Sequence, residues 1–239
     1  MNDKPVYHFQ KSGFLILLAI ITVFFLYILK PFFFAIFWAV LVAGIFFPLY
    51  KFLNKKITKK IYVEKGIPTP AQINITPKTK KSGIKENLFP IIAKPQTGHA
   101  KMDIVLINTA SELENFIENH TIQDFIFEQF IIGDEIICAG LVHNKKYYHI
   151  LMTDKQSSPR PYFTDILHTA PSKHQNMLNK TTEIGQNIAD AFHIHTAPVI
   201  MEFIIDSMDN IYLLEAVPEF GGEFIPDIMI PAATGYSHL

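Results

Sequence analysis

Apolar residues are distributed along this chain in two regimes. Residues 14–50 are almost continuously Phe, Leu, Ile, Val and Ala, with Lys30 the single charged side chain. Beyond Lys51, apolar and polar positions alternate in short runs, as in a domain whose elements each bury one face. The first regime divides at Lys30-Pro31 into stretches 14–29 and 32–50. As helices these would be about 24 and 28 Å long, close to the roughly 30 Å of a bilayer's hydrocarbon core. Proline lacks the N–H that a continuing helix needs, and lysine is costly at mid-bilayer. The pattern therefore predicts a two-helix membrane hairpin within residues 1–53. Lys4 and Lys11 before it, and Lys51, Lys55, Lys56, Lys59 and Lys60 after it, put both ends on the cytoplasmic side. The domain over 54–239 would then be cytoplasmic and membrane-attached.

The second regime predicts an α+β domain. Strands are expected over 89–94, 103–107, 124–130, 135–142 and 147–153, with a turn at Asn144-Lys145. A helix is expected over 111–119, where Ser111 and Glu114 have capping-box spacing. A second runs over 173–192 through Met177, Leu178, Ile184, Ile188 and Ala191. Residues 199–206 and 211–217 form a hairpin. The formal net charge of −1 over 239 residues gives no reason to expect nucleic acid as a partner. A single cysteine, Cys138, excludes an intrachain disulfide, and its apolar neighbours suit a buried thiol.

Several residues are placed for chemistry. Lys94 ends an apolar strand, where an ammonium suits a phosphate as a point charge. The loop after it offers backbone N–H groups near Gly98. Glu202 and Glu215 lie 13 residues apart in apolar runs and face the same way if the hairpin turns at 207–210. Paired carboxylates of this kind hold Mg²⁺ or Mn²⁺, hard cations that prefer oxygen. Arg160, the only arginine, lies between Pro159 and Pro161. Its guanidinium fork suits a carboxylate or acyl phosphate, and a solvated loop residue is the equal alternative.

Four segments resemble, in order, the ATP-grasp superfamily. They are Gly66-Ile-Pro-Thr-Pro, Phe89-Pro-Ile-Ile-Ala-Lys-Pro, Phe127-Glu-Gln-Phe-Ile-Ile-Gly-Asp-Glu, and Met201-Glu-Phe-Ile-Ile-Asp followed by Leu214-Glu-Ala-Val-Pro-Glu-Phe-Gly-Gly. The resemblance implies an ATP-grasp fold over residues 54–239, without the small α/β domain that usually precedes it. It implies ATP bound with Lys94 and Lys55 at the phosphates, although Lys55 serves equally as part of a membrane-flanking basic cluster. Glu128 would meet the adenine amino group and Glu135 the ribose hydroxyls, with the backbone of Gln129, Phe130 and Ile131 along the adenine edge. Glu202 and Glu215 would hold the metal. The family's usual asparagine ligand is Val217 here, which leaves Glu219 or water to complete the sphere.

The implied activity is a ligase that activates a carboxylate as an acyl phosphate for attack by an amine. Lys94 and Arg160 would be its catalytic cations, and both substrates would be small molecules of unknown identity. The alternatives are a catalytically impaired nucleotide-binding module, or a transporter-family fragment fused to an ATP-grasp domain. The last arises because residues 14–56 resemble the start of the AI-2E transporter (PerM-like) family. That resemblance lies in Phe25-Leu-Tyr-Ile-Leu-Lys-Pro-Phe-Phe and Ala39-Val-Leu-Val-Ala-Gly-Ile-Phe-Phe-Pro-Leu-Tyr.

Overall fold

A computed structural model describes residues 4–52, 55–79, 86–96, 104–159, 162–222 and 224–236. The chain forms two compact units, Met1–Leu53 and Asn54–Leu239.

The first unit corrects the expected hairpin. It is one unbroken helix, α1 (Lys4–Phe52), which continues through Lys30-Pro31. Proline removes one donor and costs a helix about 3 kcal/mol, yet nothing beside it favours a turn. Residues 28–40 contain no Gly, Asn, Asp or Ser to set one up. In an apolar run, a helix is also what satisfies the backbone internally. Among the described residues one stretch, Gly13–Lys30, is long and apolar enough to cross a membrane. The 49 residues of α1 reach about 70 Å, more than twice the hydrocarbon thickness.

The second unit is α+β and begins with α2 (Lys55–Glu64). A small antiparallel sheet follows, made of β1 (Gln72–Ile73), β2 (Ile91–Pro95), β3 (Val105–Ile107) and β4 (Phe125–Gln129) in the order β1-β4-β2-β3. Helix α3 (Ala110–Asn119) supplies Leu113 and Phe116 to its core, beside Ile91, Ala93, Ile107 and Phe127. The N-cap of α3 is Thr109, two residues ahead of the expected Ser111, and its hydroxyl accepts from the Glu112 amide. Glu112 in turn accepts from the Asn108 amide at 2.7 Å, so the cap is built from Asn108, Thr109 and Glu112.

The larger sheet contains β5 (Gly133–His143), β6 (Lys146–Ser157), β7 (Asp165–Thr169), β8 (Ala197–Asp206) and β9 (Ile211–Val217), all antiparallel in the order β7-β6-β5-β8-β9. The β5–β6 turn is Asn144-Lys145, both with positive φ, as a tight hairpin turn requires. One face of this sheet packs Ile136, Cys138, Met201, Phe203 and Leu213 against Tyr62 of α2 and against Ile184 and Ile188 of α4 (Leu178–Ala191). Burial there pushes the Cys138 thiol up to about 12, in keeping with a packed side chain.

The opposite face is divided by sequence. Ile137, Ala139, Leu151 and Ile200 are covered by Ile225, Met229 and Ile230, from the turns leading into α5 (Ile230–Thr234). Strand alternation puts Glu135, Lys155 and Glu202 on that same face, beyond the apolar cover. The sheet thus has one surface with an oily end and a charged end. The charged end is where the chemistry collects.

Candidate active site

Residues 130–132 join β4 of the small sheet to β5 of the large one. The segment expected as the nucleotide hinge therefore carries Glu128 on one sheet and Glu135 on the other. Each carboxylate anchors its own cluster.

Around Glu128, the Lys59 ammonium lies 2.7 Å from Oε1 and the Lys94 ammonium 2.8 Å from Oε2. Lys94 reaches it because β2 and β4 are neighbours, with Lys94 opposite Ile126 and Ile92 opposite Glu128. Lys59 also donates to the Thr69 hydroxyl at 2.5 Å, which donates onward to the Leu213 carbonyl at 2.9 Å. Burial alone would raise the Glu128 pKa. The two lysines, Lys94 ahead of Lys59, outweigh it and hold the carboxyl below its ordinary range. Burial lowers the Lys59 pKa, and Glu128 offsets part of that fall. The lysine of α2 that reaches Glu128 is Lys59, not Lys55, which is half-buried one turn earlier and whose backbone N–H donates to the Gln96 carbonyl. The usable signal was Tyr62. It is the buried aromatic of α2, and Lys59 precedes it by three residues on the same face.

Around Glu135, the fully buried Lys155 ammonium meets three carboxylates: Glu202 at 2.8 Å, Asp165 at 3.1 Å and Glu135 at 3.3 Å. Ser157 donates to both Glu135 and Asp165. Register explains the convergence. Lys155 lies directly across from Glu135, and Glu202 lies across from Ile137, two residues further along β5. Lys155 and Asp165 carry no signal in the sequence pattern: β6 extends past the expected end at 153, and β7 has no counterpart among the expected strands.

Glu202 and Glu215 are cross-strand partners. Phe203 pairs with Leu213, so a regular ladder would put Leu214 opposite Glu202. An irregularity between Glu202 and Phe203 shifts the register by one residue and brings Glu215 there instead. Glu219 lies beyond the end of β9 and is exposed. Among the described residues no group of three His, Cys, Asp or Glu is close enough to hold a metal ion. Two opposed carboxylate oxygens still fit Mg²⁺, which keeps several waters and takes further oxygens from a polyphosphate. Val217 pairs with Ile200 and packs against the apolar cover, which accounts for the hydrophobic residue in a ligand's place.

Helix α2 touches both regions. Lys59 reaches Glu128 of β4, while the Tyr62 hydroxyl accepts from the Ala216 amide of β9 at 3.2 Å, beside Glu215. Of the expected adenine-edge residues, Gln129 donates its N–H to the Ala71 carbonyl and Phe130 donates its own to Pro90. Ile131 follows in the same hinge. Gly98 and Arg160 lie outside the described residues.

Two antiparallel sheets joined by such a hinge, each carrying a cluster of lysine and carboxylate side chains, make up a fold of the α+β class. A family model described as an ATP-grasp domain matches residues 87–227, more than half of the chain, and the chain belongs to the ATP-grasp family. It is 30% identical over 146 residues to the D-alanine–D-alanine ligase of Pelagibacter ubique, a match covering 56% of this chain and 47% of that one. Among solved structures it is similar to the L-amino acid ligase from Bacillus licheniformis, with a TM-score of 0.62, 22% identity, and coverage of 77% of this chain and 44% of that one. It is also similar to the biotin carboxylase domain of 2-oxoglutarate carboxylase from Hydrogenobacter thermophilus, crystallised with MgADP, ADP and bicarbonate. That likeness has a TM-score of 0.60 at 18% identity, covering 77% of this chain and 43% of that one. The two structural likenesses establish the fold. The chain spans about half, or less, of the length of the curated relatives it matches.

Proposed function

We propose that residues 54–239 bind ATP with Mg²⁺ and serve a ligase that joins a carboxylate to an amine. The observation that carries this is the pair of charged clusters on either side of the hinge, one offering lysines to phosphates and the other offering carboxylates to a metal. Their chemistry matches phosphoryl transfer, where positioning and charge stabilisation are nearly all that a protein supplies. A substrate carboxylate oxygen would attack the γ-phosphorus, the bond to the bridging oxygen would break, and ADP would leave. An amine would then attack the acyl carbon, release inorganic phosphate and lose a proton. Lys94 would hold the transferring phosphates, Glu135 the ribose hydroxyls, and the Ile131 amide the adenine edge. Glu202 and Glu215 would hold Mg²⁺, which when bound neutralises the developing phosphate charge. Arg160 is assigned to the acceptor carboxylate. That one relative is a D-alanine–D-alanine ligase and one structural neighbour an L-amino acid ligase supports small amino-acid-like substrates.

Calorimetric titration of the full chain in detergent should show ATP binding that requires Mg²⁺. Lys94→Ala should weaken it about tenfold to a hundredfold, as loss of a charge-assisted hydrogen bond does. Amino acids and other carboxylates, each paired with amines, should then stimulate ADP release. Binding without stimulated release would favour a nucleotide-binding module, for which Val217 argues. No Mg²⁺-dependent binding at all would overturn the proposal.

We further propose that α1 anchors this domain to a membrane through Gly13–Lys30. Its apolar side chains over this stretch are exposed. With one span the two ends lie on opposite sides. The full chain should sediment with membranes after alkaline carbonate washing and partition into detergent, whereas a chain beginning at Asn54 should stay in the supernatant. Recovery of the full chain in the carbonate wash would refute the anchor.

A further inference from the structure

We propose that Glu128 is a positioning residue for the phosphate-binding cations and leaves the adenine amino group to the backbone. In this arrangement Lys94 is the ammonium that meets phosphate, and Lys59 stays behind it as a brace. The inference rests on the nucleotide reading above and departs from the role that the family resemblance implies for Glu128.

Charge decides between the two roles. Each oxygen of the Glu128 carboxylate holds one ammonium, at 2.7 and 2.8 Å, and the residue is 3% exposed. An adenine amino group is a neutral donor. Turning the carboxylate toward it would strand one or both lysines, and an unpaired buried charge costs far more than a neutral hydrogen bond returns. The depressed Glu128 pKa and the burial-lowered Lys59 pKa fit a tight ionic cluster.

The two lysines are also unequal. The Lys59 side chain is 5% exposed, and its ammonium is engaged by Glu128 and by Thr69, which is tied in turn to Leu213. The Lys94 side chain is 15% exposed and its ammonium turns only part of its donors to Glu128. A phosphate can therefore approach Lys94 but not Lys59. Without Glu128 the two ammonium groups would repel each other at close range in a poorly solvated place. One carboxylate keeps both charged, close together, and fixed in direction.

The test compares the two ends of the nucleotide by calorimetry on the full chain in detergent with Mg²⁺. ATP against ITP reports recognition of the 6-amino group; ADP against AMP reports the phosphates. In Glu128→Gln, ATP and ADP should each bind about tenfold or more weakly, because a buried charge pair has been broken. The preference for ATP over ITP should stay unchanged, and the gain from AMP to ADP should shrink. The double variant Lys59→Met with Glu128→Gln removes one charge of each sign and should recover much of the lost affinity. It also supplies the same comparison if Glu128→Gln fails to fold. Loss of the ATP-over-ITP preference with the AMP-to-ADP gain intact, in either variant, would overturn the inference and assign Glu128 to adenine. Wild type that binds no nucleotide would instead overturn the nucleotide reading on which it rests.

Discussion

Replacing Lys155 by methionine is expected to destabilise the ATP-grasp domain by about 3–5 kcal/mol, the range for breaking a buried ion pair on one side. Methionine keeps the length and the apolar stem, so the change isolates the charge. The ammonium it removes lies within 3.3 Å of the Glu202, Asp165 and Glu135 carboxylates. Three carboxylates from β5, β7 and β8 would then face one another, each only partly open to solvent. Urea unfolding of the full chain in detergent should show a lower midpoint with an unchanged slope. Millimolar Mg²⁺ should restore more stability to the variant than to wild type. A divalent ion can take the vacated position, whereas in wild type Lys155 competes with it for Glu202. A variant as stable as wild type would mean that the cluster is not held by charge. Equal response to Mg²⁺ in both would mean that Lys155 and the metal do not share Glu202.

That cluster also marks the boundary of what the sequence makes legible. Lys94, Glu128, Glu135, Glu202 and Glu215 stand out because each sits within a short local pattern, a strand end or a hinge or a hairpin, whose spacing carries the information. Lys155 and Asp165 belong to no such pattern. Lys155 meets its carboxylates through its cross-strand partner Glu135, 20 residues back in sequence (155 − 135), and through Glu202 on the strand beyond, 47 residues ahead (202 − 155). The placement of Glu215 opposite Glu202 similarly depends on a one-residue register shift that no periodicity announces. Lys55 and Lys59 are hard to tell apart for a simpler reason. They lie one helical turn apart on one face of α2, so spacing cannot separate them, and the burial of Tyr62 decides. At the N-terminus the error ran the other way. Lys30-Pro31 is a local signal strong enough to suggest a turn, but a run with no turn-forming residues on either side leaves the chain helical.

The remaining large effect concerns the hinge itself. Gly133→Ala is expected to cost about 3 kcal/mol, at the upper end for an overpacked site. A methyl group there would lie inside contact distance of the Ile205 carbonyl oxygen, with the Ile205 carbonyl carbon and Asp206 Cα close behind. These are backbone atoms of the neighbouring strand, so no rotamer change relieves the clash. The first pairs of the β5–β8 ladder, Gly133 with Asp206 and Asp134 with Ile205, would have to open. The Asp206 carboxylate already accepts from the Met208 and Asn210 amides in the turn beyond, so that strand end has little freedom to retreat. Glu135 is two residues further along β5, within reach of Ser157 and Lys155. Opening the ladder would displace it, and with it one wall of the proposed ribose site. Thermal unfolding should therefore show a clear loss for Gly133→Ala, and calorimetry should show weakened Mg-ATP binding at temperatures where the variant is still folded. Gly222→Ala is the control, since a methyl group there meets nothing within 4 Å. If Gly133→Ala melts with wild type and binds ATP equally well, the close approach of β5 to β8 does not set the position of Glu135.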